Sequence, residues 1–197
     1  LKRDWDLSGE VDESKFERIN RRIFAAVFGA AGAQVDEGVA SIEDTDRGAK
    51  VGLRWKLGPF ELMNKVGVQE AFGMVQELYA NRQGFHLPEV IKKQAELGEP
   101  FHFQFVDTEI KNGIAYITIN RPEAMNALNP VVVDQLEAAF DKAEKNPNVK
   151  GIAIQGAGKA FVAGADIKHF IECIKNDRID VNVAFTRRGH AFLRRLE

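Results

Sequence analysis

The sequence predicts two domains of different class, an all-α domain followed by an α/β domain. Three observations carry this. From Ser14 to Leu97 apolar residues recur at three- and four-residue spacing, the pattern of amphipathic helices. After Glu99-Pro100-Phe101 the period changes, and two strand-like runs flank Asn112-Gly113, a dipeptide that favours a tight hairpin turn. Beyond the hairpin a strand, helix, strand, helix order implies a parallel sheet. With 197 residues, 45% hydrophobic and 28% charged, the chain has enough apolar material for two cores.

Residues 1–13, with Trp5 and Leu7 among many acids, form a lead-in segment. Ser14 starts a long helix that Gly38 ends. Ile19, Ile23, Ala26, Val27 and Ala30 give it an expected buried stripe, and Gly29, Ala30, Ala31, Gly32 and Ala33 permit close helix packing. Ser41-Ile42-Glu43-Asp44 offers a capping hydroxyl with a carboxylate three residues on, so a short helix runs to about Val51. Pro59, after Gly58, sits at the first position of the next helix, which reaches Gly67. Gln69 to Tyr79 and Pro88 to Leu97 are predicted helices, the last stopped by Gly98.

Phe103 to Ile110 and Ile114 to Ile119 are the predicted strand pair. Asn129 caps a helix from Pro130 to about Lys145, with Val133, Leu136, Phe140 and Ala143 on its inner face. Asn146-Pro147-Asn148 breaks it. Val149 to Ile154 reads as a buried strand, Gln155 to Ala160 as a loop, and Ala165 to Ile174 and Val181 to Leu196 as helices. The chain opens at Leu1 without a methionine and stops at Glu197 inside the last helix with no terminating glycine or proline, so it is expected to be a fragment of a longer polypeptide.

Charge excludes some partners. Lys+Arg 27 against Asp+Glu 29 gives a net charge of -2, too balanced for nucleic acid or an anionic membrane as main partner. No apolar run approaches the roughly 20 residues of a membrane span, and the single Cys173 rules out an internal disulfide framework and fits a reducing cytoplasm. His86, His102, His169 and His190 lack metal-ligand spacing, so no metal is expected. Cys173, beside Ile171 and Ile174, reads as a packed thiol. Arg187, Arg188, Arg194 and Arg195 read as a solvated helix face rather than a phosphate site.

The run Phe161 to Ile167, Phe-Val-Ala-Gly-Ala-Asp-Ile, is a small-residue turn between strand and helix, the kind that presents backbone N–H groups to a ligand. Upstream stand Ile117-Thr118-Ile119-Asn120-Arg121-Pro122-Glu123-Ala124-Met125-Asn126-Ala127-Leu128-Asn129 and the strand-like Gly151-Ile152-Ala153-Ile154. Together these segments resemble the crotonase (enoyl-CoA hydratase/isomerase) family. The resemblance implies that the Ala165 N–H is one of two donors to the oxyanion of a thioester enolate, helped by the first turn of the following helix, with Gly164 allowing close approach. It further implies that Ala163, Asp166 and Ile167 border the adenine of coenzyme A and that Ala124 and Met125 contact the coenzyme through their backbone. Asn126 and Asn129 read as local turn and cap residues, and Asp166 equally as a first-turn residue interacting with the helix dipole. The family's second donor and its catalytic glutamates would fall beyond Glu197, and Glu172 comes too soon to replace them, so the chain alone is expected not to hydrate an enoyl thioester.

A second resemblance covers about residues 14 to 97. Asp36-Glu37-Gly38-Val39-Ala40-Ser41-Ile42-Glu43-Asp44, Ala49-Lys50-Val51-Gly52-Leu53 and Leu57-Gly58-Pro59-Phe60-Glu61-Leu62 look like the helical C-terminal domain of 3-hydroxyacyl-CoA dehydrogenases. In that family NAD is held by a preceding domain with a Gly-x-Gly-x-x-Gly loop, and no such loop occurs here, so this chain is not expected to bind NAD. Asn20-Arg21 matches an Asn-Arg pair near substrate in some members, although helix packing is the favoured role of Asn20 here.

Joined, the resemblances imply a multi-domain chain: an all-α dehydrogenase C-terminal-type domain at 14–98, a linker at 99–102, and the truncated N-terminal part of an α/β crotonase (ββα superhelix) domain at 103–197. The implied parent is a bifunctional 3-hydroxyacyl-CoA dehydrogenase/enoyl-CoA hydratase of fatty acid beta-oxidation, in the order of the archaeal fusion proteins. Its expected partners are an acyl-CoA substrate and further copies of itself. The alternatives are a non-catalytic helical dimerisation and CoA-binding module, or a crotonase-family isomerase.

Overall fold

A computed structural model describes residues 12–80, 82, 84 and 86–196; the lead-in segment lies mostly outside them. The chain divides into two compact units, Leu1–Phe103 and Gln104–Glu197.

The first unit holds α1 (Glu13–Asp36), α2 (Ile42–Gly52), α3 (Pro59–Val66), α4 (Val68–Tyr79) and α5 (Glu89–Leu97). Phe28, Phe60, Met63, Val75 and Ile91 are fully enclosed at its centre. Each helix fits its sequence signals. Ser41 Oγ accepts from Asp44 N at 3.1 Å, while the Asp44 carboxylate turns to Arg47 rather than completing a capping box. Gly29 and Gly32 give α1 the expected close approach: a Cβ on Gly29 would lie 2.1 Å from the Tyr79 hydroxyl, and one on Gly32 would lie 2.6 Å from Pro88 Cβ.

The buried face of α1 is not the expected one. Ile19, Ile23, Ala26 and Ala30 are exposed, and Ala25, Phe28, Gly29, Ala31 and Gly32 are buried instead. Both stripes have helical period; the buried one carries Phe28 into the core and glycine where Tyr79 and Pro88 come close, and of the expected stripe only Val27 packs partly on the core. The predicted linker is likewise fastened to this unit. Phe101 is buried edge-on against Phe60, with ring centroids 4.8 Å apart, and its backbone exchanges two hydrogen bonds with the Asn64 amide, 2.7 and 2.9 Å. Phe103, placed by its sequence in the first strand, packs on the helical core, so that strand begins later.

Two helix starts are capped from a distance. Asp36 at the end of α1 accepts from Glu89 N (2.6 Å) and Val90 N (3.0 Å) of α5. Asp46 in α2 accepts from Phe60 N (2.8 Å) and Glu61 N (2.9 Å) of α3, where the N-cap residue Gly58 has no side chain to do so. A Cβ on Gly58 would stand 2.2 Å from Asp46 Cγ, so glycine there makes room for the carboxylate.

Burial pushes the Asp46 carboxyl up to about 6, against the pull of the two N–H donors; the nearby Glu61 carboxylate adds to the rise and Lys50 opposes it. A folded-state value above the unfolded one means that Asp46's contribution is fully present below the unfolded value of 3.8 and is lost as pH rises through about 6. The shift corresponds to about 3 kcal/mol. Urea unfolding of the first unit in the wild type and in Asp46→Asn at pH 4.5 and 7.5 should therefore show the wild type losing stability relative to the variant as pH rises. Equal pH dependence in both would sink the assignment.

The second unit holds β1 (Val106–Lys111), β2 (Ile114–Ile119), α6 (Pro130–Glu144), β3 (Gly151–Gly156), α7 (Ile167–Lys175) and α8 (Ile179–Arg194). Asn112 and Gly113 both have positive φ, +52° and +79°, and close the β1–β2 hairpin in the expected two-residue turn. β3 then pairs parallel to β2, with α6 as the crossover, giving the sheet order β1-β2-β3. Ala115, Ile117 and Ile119 point from β2 onto Val132, Leu136, Phe140 and Ala143 of α6, close to the inner face read from the sequence. Asn129 caps α6 by accepting from Val132 N at 2.9 Å, as expected. Phe192 of α8 joins this core, T-shaped against Phe140 at 5.7 Å.

Candidate active site

The site is built from two loops that follow strands of the same sheet. After β2 the chain makes a short 3-10 turn at Pro122–Ala124 and then passes through two successive left-handed residues, Met125 (φ +50°) and Asn126 (φ +56°). Asparagine tolerates this conformation; methionine there is uncommon. Asn126 is fully buried. Its Oδ1 accepts from Arg121 N at 2.8 Å, and its Nδ2 donates to Ala157 O (2.9 Å) and Ala160 O (2.7 Å) of the loop after β3. The sequence reading as a local turn residue covers only the first of these bonds. The other two make Asn126 the tie between the loops.

Leu128 holds the small-residue turn. Its N–H donates to Gly164 O and its carbonyl accepts from Asp166 N, both at 2.8 Å, a one-residue parallel bridge facing Ala165. In such a bridge the facing residue directs its own N–H and C=O the other way. The Ala165 N–H accordingly meets no protein acceptor among the described residues, and Ala163, Gly164 and Ala165 are all exposed. Gly164 has φ +128°, which L side chains rarely adopt, and nothing lies within 4 Å of where its Cβ would be. Ala163 N donates to Met125 O at 3.1 Å. Met125 and the 163–166 turn, both singled out in the sequence, are thus hydrogen-bonded neighbours, with Ala124 adjoining.

One expectation changes. The sequence pattern puts Ala165 in the first turn of a helix, but α7 starts at Ile167 with Asp166 as its N-cap, so Ala165 precedes the cap. The positive helix end is met by Asp166 itself, whose Oδ1 accepts from Lys168 N at 3.1 Å. Its Oδ2 pairs with the Arg121 guanidinium at 2.8 Å, and the two side chains are only 12% and 17% exposed. Burial raises the Asp166 pKa, but the Arg121 bond and charge, aided by Lys168, outweigh it and hold the carboxyl below its usual range. Arg121 also donates to Ala127 O at 3.1 Å and lies over the Phe105 ring. Both Asp166 carboxylate oxygens are engaged within the protein, and so is its main chain, whose N–H donates to Leu128 O and whose carbonyl accepts from His169 N at 3.0 Å.

Other sequence candidates resolve differently. Arg188 pairs with Asp134 and Glu137, and Arg195 with Asp141 and Glu144, so an arginine on α8 and the one at its C-cap, seven residues apart, clamp acids seven apart on α6. All four arginines, Arg187 and Arg194 included, are exposed, so the solvated face stands with two of its members ion-paired. Cys173 is a packed thiol, buried with its Sγ 3.8 Å from His169 Nε2. Asn20 is half-buried, while Arg21 beside it binds Glu70 and Glu77 of α4.

Two family models match, one to each unit. Residues 109–186 match enoyl-CoA hydratase/isomerase, and residues 19–101 match the C-terminal domain of 3-hydroxyacyl-CoA dehydrogenase. A probable enoyl-CoA hydratase of Mycobacterium bovis is 37% identical over 70 residues, covering 36% of this chain and 27% of the relative. A probable enoyl-CoA hydratase of Rhizobium meliloti is 45% identical over 60 residues, 30% of this chain and 23% of that protein. The (E)-benzylidenesuccinyl-CoA hydratase of Thauera aromatica is 39% identical over 64 residues, 32% and 25%. Among solved structures, a probable enoyl-CoA hydratase from Mycobacterium smegmatis matches at 44% identity over 32% of this chain and 26% of that chain, with a TM-score of 0.32. The chain spans about a quarter of the length of the curated relatives it matches.

Proposed function

We propose that this chain, which joins a 3-hydroxyacyl-CoA dehydrogenase C-terminal-type domain to part of an enoyl-CoA hydratase/isomerase domain, comes from a bifunctional enzyme of fatty-acyl-CoA metabolism. That enzyme adds water to an enoyl-CoA and oxidises the resulting L-3-hydroxyacyl-CoA with NAD to the 3-oxoacyl-CoA. We place it in the reducing cytoplasm on the strength of its single unpaired thiol.

The observation that carries the reading is the N–H of exposed Ala165, left without a protein acceptor among the described residues by the Leu128 bridge. Water addition puts negative charge on the thioester oxygen, and a fixed N–H aimed there lowers the barrier without reorganising. Gly164 keeps the approach open. In this reading Ala163, Asp166 and Ile167 border the adenine side of the coenzyme, and the backbones of Ala124 and Met125 contact it from the adjoining loop. The Met125–Ala163 hydrogen bond, which joins the two loops, supports this reading. None of the 197 residues is assigned to nicotinamide binding or to acid–base work.

The test is an assay of the full-length gene product with crotonyl-CoA and NAD. Ala165→Pro removes the N–H, and hydration should fall about 10²- to 10³-fold in kcat while oxidation of 3-hydroxybutyryl-CoA is unchanged. Hydration that survives the substitution would remove Ala165 from the mechanism. The 197 residues alone should leave crotonyl-CoA untouched, and turnover by them would overturn the view that further groups are needed.

We further propose self-association. Ile167, Ile171 and Ile174 form an exposed apolar line along α7, and Ile179 and Val183 of α8 are exposed as well. Light scattering of the 197-residue chain should show oligomers; a strict monomer across micromolar concentrations counts against the proposal.

A further inference from the structure

The helical unit contains a cavity that neither the oxyanion turn nor the core explains. Of about 370 Å³, it lies between α1 and α4 and is lined by Arg18, Arg21, Arg22, Ala25, Met74, Glu77, Leu78 and Arg82. Its origin is visible in the sequence. Along α1 the buried residues Ala25, Phe28 and Gly29 are preceded, seven positions earlier in each case, by Arg18, Arg21 and Arg22. The face that packs against α4 in the middle of the helix therefore continues toward the N-terminus as guanidinium groups. Buried Ala25 and Met74 supply an apolar floor.

The arginines are not equivalent. Arg21 is committed: its Nε donates to Glu77 Oε2 at 2.9 Å and its NH1 pairs with Glu70, which pins α1 to α4. Arg18 and Arg22 have no carboxylate partner among the described residues, although acids stand within reach of their neighbour. Two guanidinium forks without a carboxylate partner among the described residues, one turn apart on α1 and lining a cavity with an apolar floor, have the chemistry by which arginine grips phosphate oxygens.

We propose that this cavity binds the phosphate groups of a phosphorylated organic ligand, with Arg18 and Arg22 as the gripping residues, Arg21 as the structural pin and Arg82 at the rim. The apolar floor formed by Ala25, Met74 and Leu78 takes the carbon part of the ligand. This site is on a different unit from the oxyanion turn and does not depend on the reading of that turn.

The test is isothermal titration of the 197-residue chain, at low salt, with pyrophosphate and separately with adenosine 3′,5′-bisphosphate. Saturable binding of both is expected, and only the part of the nucleotide's binding that the double variant loses is credited to this cavity rather than to the turn at Ala163 to Ile167. In the R18A/R22A double variant affinity should fall at least about tenfold, and R18K/R22K should recover part of it, since lysine keeps the charge and loses the fork. An unchanged helical circular-dichroism spectrum separates lost binding from lost folding. Should the double variant fail to fold, protection of Arg18 and Arg22 from phenylglyoxal by pyrophosphate in the wild type reads the same contact. Absence of saturable binding of either probe, or equal affinity in wild type and double variant, overturns the proposal.

Discussion

Asn126→Asp should be the most damaging single-atom change in the α/β unit. It leaves size and shape almost unaltered but replaces the Nδ2 donor with an oxygen facing Ala157 O and Ala160 O, at 2.9 and 2.7 Å in the wild type. Two hydrogen bonds become two oxygen–oxygen repulsions in a fully buried place, or the carboxyl stays protonated and saves one of them. A loss of about 3–5 kcal/mol follows, enough to loosen both loops that carry the candidate site. Asn126→Ala should cost nearly as much, because it orphans the same carbonyls and adds strain at φ +56°. Denaturant unfolding of the two variants measures this. A cost below about 1 kcal/mol, the worth of one ordinary hydrogen bond, would show that water replaces the amide and that the tie is dispensable.

Arg121→Met should be the second. The substitution keeps much of the packing over Phe105 but removes the counter-charge of Asp166 and the bond to Ala127 O. Removing one partner of a buried pair costs about 3–5 kcal/mol; the remaining exposure of these side chains and the surviving Lys168 N–H bond reduce this to about 2–3 kcal/mol. The pH dependence has a definite sign. The depressed Asp166 pKa contributes stability that is present above the usual 3.8 and lost as pH falls through the folded value, so the wild type should lose part of its advantage over Arg121→Met in acid. In the variant, burial acts unopposed by the guanidinium and the Asp166 carboxyl should titrate at higher pH, which carboxyl-carbon NMR reads directly. Stability curves that run parallel down to pH 3 would show that the pair contributes nothing.

These two residues mark where the sequence was legible and where it was not. Arg121 and Asn126 stood inside the quoted run, but their partners Asp166, Ala157 and Ala160 lie 31 to 45 positions away. The local reading of Asn126 as a turn residue is right for its backbone and for its bond to Arg121, and silent about the loop it fastens. The hairpin at Asn112-Gly113, the Asn129 cap and the inner face of α6 were readable because each depends on residues within a turn or two of one another. The exposed Ile19 and Ile23 show the opposite case, since two helical stripes of equal period competed and only what packs against α1 selected the one bearing Phe28, Gly29 and Gly32. The distant caps from Asp36 and Asp46 belong with these, as an acid in one helix gives no local sign that it ends in the first turn of another.

The sequence by itself determined the class of each half, the order of elements and the small-residue turn from Ala163 to Ala165, because period, cap residues and turn dipeptides act over a few residues of backbone. Tertiary structure decided which face of α1 is buried, that Asp166 is held by Arg121, and that the bridge to Leu128 leaves the Ala165 N–H without an acceptor among the described residues. Each of these depends on two segments meeting, and a choice between equally periodic faces or equally polar partners is settled only by what packs against them.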